Sequence, residues 1–82
     1  MSMSEGLPVK GYQPQSSYRV ELVNRNKEAE ERVLRILDNL KESNRADLRW
    51  LAIARTHIEE GFMAMNRAIF QPARVKLDGD PE

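Results

Sequence analysis

Apolar residues recur at helical spacing through residues 47–70, DLRWLAIARTHIEEGFMAMNRAIF. At about 100° per residue, Leu48, Leu51, Ile58, Phe62, Met65 and Ile69 fall on one stripe roughly 100° wide. A second stripe, about 110° further round the helix, carries Trp50, Ile53, His57, Gly61, Ala64 and Ala68. It ends in small residues, which let another backbone approach closely. A helix with two apolar faces sits between two neighbours, and the chain offers only one other long helix. The pattern therefore predicts self-association, with function sought where copies meet.

The other helix is expected over residues 18–42, with Ser17 as its N-cap. Its apolar positions are Leu22, Ala29, Val33, Ile36, Leu37 and Leu40, a single stripe broken at Asn26. Glu28, Glu30, Glu31, Arg32 and Arg35 form a solvated face suited to helical ion pairs. Lys27 projects away from the apolar stripe, inside the polar cluster Asn24-Arg25-Asn26-Lys27. Ser43 and Asn44 interrupt the pattern, and Asn44 is an expected N-cap with Asp47 three residues on. The second helix then spans about 45–71 and stops at Pro72, which lacks a backbone donor. So short a gap makes the helices antiparallel neighbours. The expected fold is an all-α antiparallel hairpin, with each helix about 35–40 Å long.

Residues 1–17 hold Gly6, Pro8, Gly11 and Pro14 among serines, a density that prevents a regular helix. They read as an N-terminal arm. Within it, Lys10-Gly11-Tyr12-Gln13-Pro14 places an aromatic beside a flexible glycine. Tyr12 is either a clasp residue or a ring packed on the body. The hairpin domain is assigned to 18–72, and 73–82, without period and with late turn formers, to a flexible C-terminal tail.

Composition narrows the functional classes. Eighty-two residues make one small domain, and such chains often need a metal, disulfides or oligomerisation. There is no cysteine, which excludes disulfides, thiolate metal sites and thiol catalysis. Thirteen basic and thirteen acidic residues cancel, which argues against bulk binding to a nucleic acid polymer or an anionic membrane. A few placed cations gripping a small phosphate ligand remain compatible with that balance. No run is apolar enough to span a bilayer, and the first residues do not read as a secretory signal. A cytosolic protein is expected.

Few constellations carry chemistry. Arg49, Thr56, Glu60 and Arg67 line the polar face of the second helix. Arg67, close to the helix end, either pairs with Glu60 or points at an anion, since guanidinium matches phosphate oxygens bidentately. Arg55, at the edge of the main stripe, reads as an inter-helix or inter-subunit ion-pair partner. His57 and Glu60 are three residues apart, but one histidine and one carboxylate do not complete a metal site. There is no Gly-rich phosphate loop and no histidine spaced with a serine for a triad. The expectation is a protein that is not an enzyme and uses no metal or cofactor.

Residues Leu48-Arg49-Trp50-Leu51-Ala52-Ile53-Ala54-Arg55-Thr56, followed by Glu59-Glu60-Gly61-Phe62-Met63-Ala64-Met65-Asn66-Arg67-Ala68-Ile69-Phe70-Gln71-Pro72, resemble the phage anti-CBASS cyclic-nucleotide sponges. The helical hairpin domain of that family is shared with the Thoeris anti-defence sponges. The resemblance covers most of residues 10–72, arm included. It implies a compact homohexamer in the host bacterial cytoplasm. Such a protein sequesters cyclic oligonucleotide messengers, such as 3′,3′-cGAMP, and so blocks anti-phage immunity.

In the family, cyclic dinucleotides bind between protomers, where an arm tyrosine stacks on a base and a first-helix lysine meets phosphates. Those roles fall here on Tyr12 and Lys27. Some members bind cyclic trinucleotides at separate pockets through an arginine near the end of the second helix, the motif position of Arg67. A first-helix hydroxyl also assists there in the family; near that place this chain has Glu28 and Ala29. The competing expectations are a helical-hairpin protein–protein interaction module without a nucleotide ligand, a small nucleic-acid regulator, and an enzyme that degrades the same messenger.

Overall fold

A computed structural model describes residues 9–81. Residues 1–8, with Gly6 and Pro8 of the arm, and residue 82 lie outside the described residues. Two helices make up the ordered body: α1, Ser17–Ser43, and α2, Leu48–Phe70. With 27 and 23 residues they are about 40 and 35 Å long. The radius of gyration is 17.9 Å, against about 12 Å for a compact chain of this length, so the protomer is a rod.

The boundaries follow from capping, and they correct two expectations. The N-cap of α1 is Ser16 rather than Ser17: its backbone is extended (φ −70°, ψ 157°), and its hydroxyl accepts from Arg19 N–H at 3.2 Å. Asn44 does not begin α2 but ends α1. It takes the left-handed conformation (φ 60°) and returns its N–H to the Lys41 carbonyl. A residue so placed lacks the extended backbone of an N-cap. Asp47 supplies that backbone instead (ψ 121°), and its carboxylate accepts from Trp50 N–H at 2.9 Å. At the far end, Gln71 is left-handed (φ 49°) and its N–H closes on the Arg67 carbonyl at 2.7 Å, just before Pro72.

Two cross-links give the register of the hairpin. Asn26 Nδ2 donates to Asn66 Oδ1 at 3.1 Å, and Arg55 pairs with Asp38 near the turn. One partner advances along α1 as the other retreats along α2, so the helices are antiparallel as expected. The shielded positions include Val23, Asn26, Glu30, Val33 and Leu37 on α1, and Leu51, Arg55, Ile58, Phe62, Asn66 and Ile69 on α2. Steps of three and four, with two successive fours from Ile58 through Phe62 to Asn66, make this a coiled-coil-like seam. Arg55 is the inter-helix ion-pair partner expected of it.

The seam departs from the expected stripes at particular residues. Val23, absent from the expected α1 stripe, is the most shielded of the described residues at 5% exposure, with Leu37 next at 8%. Ile36 and Leu40 are exposed. On α2, Leu48 and Met65 are exposed, and Asn66 takes the seam position beside Met65. Asn26, read as a break in the stripe, sits inside the seam because Asn66 satisfies it. One protomer thus covers one face only. Trp50 at 62% exposure, His57, Gly61, Ala64 and Ala68 are all open on α2, and a Cβ added to Gly61 meets nothing within 4 Å.

Candidate functional site

The arm returns along the body to the end of α2. Tyr12 N–H donates to the Val9 carbonyl at 2.9 Å, forming a turn with Gly11 at φ +84°. The Gly11 carbonyl accepts from Ala73 N–H at 2.8 Å. Gln15 Nε2 then reaches the Phe70 carbonyl at 2.8 Å. These bonds set the arm across the last turn of α2.

Between them lies an open concavity of 260 Å³, lined by Tyr12, Gln13, Gln15, Asn66, Arg67, Phe70 and Pro72. Its chemistry is specific. The lining is almost wholly apolar: Tyr12 and Phe70 supply aromatic rings and Pro72 an apolar edge, with Arg67 at the border. The Tyr12 side is 57% exposed, so its ring is open to a stacking partner. Asn66 is held from behind by Asn26. Arg67 stands in the last turn of a helix, where the macrodipole is negative and repels anions. Any attraction of a phosphate to this end therefore comes from the Arg67 cation. Among the described residues Arg67 forms no ion pair, with Glu60 or with any other carboxylate. That leaves its charge uncommitted.

Lys27 lies elsewhere on the protomer. It lines a shallow groove of 360 Å³ on the outer face of α1, with Glu28, Glu31, Arg32 and Arg35. Arg35 is engaged by Glu31 at 2.9 Å, the helical pair expected at that spacing, whereas Lys27 has no ion-pair partner among the described residues. One protomer thus brings Tyr12 and Arg67 together and leaves Lys27 on a different face. Lys27 is the residue after Asn26, so it stands at the same level of the rod as Asn66 and about 100° round the helix from the seam.

Sequence reasoning missed Gln15, Gln13 and Phe70 as parts of this concavity. A glutamine in an arm rich in glycine and proline carries no periodic signal, and its value depends on a carbonyl 55 residues away. A third concavity, 440 Å³, lies between the helices near the turn and includes Leu37, Leu48, Leu51 and the Asp38–Arg55 pair. His57 is exposed on α2, and no group of three potential metal ligands gathers among the described residues. No helix among them is long and apolar enough to cross a membrane.

No curated protein matches the chain. A family model does: the Acb2/Tad1 hairpin domain matches residues 5–70, which takes in most of the arm, both helices and every residue of the concavity except Pro72. The chain belongs to the Acb2/Tad1 hairpin-domain family, that of the anti-CBASS and anti-Thoeris sponges.

Proposed function

We propose that the protein is a non-enzymatic sponge that sequesters cyclic oligonucleotide messengers of bacterial anti-phage defence, cyclic dinucleotides foremost. The observation that carries this reading is the apolar concavity over the end of α2, where the exposed Tyr12 stands open to a stacking partner. A ring stacks on a nucleobase at roughly 1–3 kcal/mol per base. At 260 Å³ and open on one side, the concavity is smaller than the roughly 300–1,000 Å³ of a closed small-molecule site. It is half a site, and a second copy completes it. The apolar face left open on α2 supports such an assembly, and a symmetric interface doubles each contact.

In this reading, two copies meeting about a two-fold axis present two Tyr12 rings and two Lys27 ammoniums to a ligand with two bases and two phosphates. Lys27, remote from Tyr12 within one protomer, comes from the neighbouring copy. A three-fold axis brings three copies of Arg67 to the phosphates of a cyclic trinucleotide. A hexamer contains both kinds of axis. Binding is stoichiometric, no bond is broken, and the ligand leaves intact.

Titration calorimetry with a 3′,3′-linked cyclic purine dinucleotide, followed by denaturation and chromatography of the released ligand, tests this. Tight binding at about one ligand per two chains, with intact recovery, is expected. Tyr12→Ala and Lys27→Ala should each abolish dinucleotide binding without changing the oligomer, and Arg67→Ala should selectively lose trinucleotides. Cleaved ligand would make the protein an enzyme. Absence of heat at every temperature would leave a protein–protein interaction module.

A further inference from the structure

The arm is tied to the body on both sides of Tyr12. On one side, the Gly11 carbonyl accepts from Ala73 N–H at 2.8 Å. The approach is close: a Cβ at position 11 would stand 2.5 Å from the Ala73 carbonyl oxygen and 3.7 Å from Val75 Cγ2. Gly11 also has φ +84°, which an L side chain adopts only with strain. Two independent reasons therefore require glycine here. On the other side, Gln15 Nε2 donates both to the Gln13 carbonyl at 2.7 Å and to the Phe70 carbonyl at 2.8 Å. Phe70 ends α2, so its carbonyl lacks a helical partner and Gln15 provides one.

The orientation of the Gln15 amide is informative. Its Oε1 is buried and has no hydrogen-bond partner among the described residues. Turning the amide over would place Oε1 against two carbonyls and lose both donations. The arm keeps the two ties. Between these ties the backbone is held while the Tyr12 ring stays open to solvent.

We propose that Gly11, Gln15 and Ala73 form a clasp that positions Tyr12 for its ligand, so that the segment after Pro72 is part of the binding site. The inference rests on the role given to Tyr12 above. Its physical content is preorganisation: an arm already ordered in the free protein does not lose that freedom on binding. Gly11 and Ala73 lie outside the concavity and act as positioning residues, while Gln15 also lines it. Residues 73–75 then serve as a strap for the arm.

Two measurements on the full chain test the clasp. The first is amide hydrogen exchange of the ligand-free protein, where Ala73 and Tyr12 amides are expected to be protected. Gly11→Ala and Gln15→Met, acting from opposite sides of the tyrosine, should each release that protection. The second is titration with the cyclic purine dinucleotide. Both variants should bind about tenfold more weakly, equivalent to about 1.4 kcal/mol of arm ordering, at unchanged helical circular dichroism and unchanged oligomer mass. Free exchange at Ala73 in the parent protein would overturn the clasp. So would variants that lose protection yet bind with full affinity. Tyr12→Ala serves as the control: if it binds as tightly as the parent, the stacking role of Tyr12 fails, whatever the exchange of Ala73 reports.

Discussion

The Asn26–Asn66 bond places two amides in a seam otherwise built largely from apolar side chains, and replacing them tests why they are there. Both are half-buried, with Nδ2 of one 3.1 Å from Oδ1 of the other. Such a bond contributes about 0.5–1.5 kcal/mol net, while stranding one partner costs about 1–3 kcal/mol. Partial exposure lets water relieve part of that penalty, which places each single change, Asn26→Leu or Asn66→Leu, at about 1–2 kcal/mol destabilising. Together they remove donor and acceptor at once and set two leucines side by side, so the double variant should be about as stable as the parent. The cycle thus carries a coupling of roughly 2–4 kcal/mol between residues in direct contact. Urea unfolding of the full chain, followed by far-ultraviolet circular dichroism at one fixed protomer concentration, measures it. A double variant that loses the full sum of the two singles would refute the pairing. Because Asn66 also lines the concavity with Tyr12 and Arg67, ligand titration of Asn26→Leu reports separately how far the seam supports the site.

Leu37→Ala removes one of the two most shielded side chains and should cost about 2–5 kcal/mol, read from the same urea midpoint. Asp47→Ala deletes the cap that accepts from Trp50 N–H and should cost about 1 kcal/mol, visible as a lower melting temperature without loss of α1. Arg55→Ala should cost under about 1 kcal/mol, since both members of its pair with Asp38 are substantially exposed, and the loss should shrink further at high salt. An added Cβ at Gly61 meets nothing within 4 Å, so Gly61→Arg should leave helicity unchanged or slightly raised, yet lower the mass seen by native mass spectrometry. Unaltered mass would move the subunit contact away from the small-residue face of α2.

Much of the fold was legible because helix periodicity is a local property. The two helices, their antiparallel return and the stop at Pro72 follow from spacing, a short gap and the missing proline donor. The family was legible too, since its motif lies in continuous sequence along α2. The surplus of apolar surface could be counted without coordinates, and the protomer does leave Trp50 and Leu48 open. What a periodic pattern cannot specify is which edge of a wide apolar stripe turns inward. That depends on the crossing of two rods, and here it admits Val23 and Asn66 while leaving Ile36 and Met65 outside. Cap residues were ambiguous for a related reason. Asn44 and Asp47 both suit a helix start by composition, and only the left-handed backbone at Asn44 separates them. The site was the least legible part. Tyr12 and Arg67 are far apart in the chain, and nothing in their types says that one protomer sets them on one concavity and Lys27 on another face. That placement is made by bonds between distant residues, Gly11 to Ala73 and Gln15 to Phe70, which leave no periodic trace in the sequence.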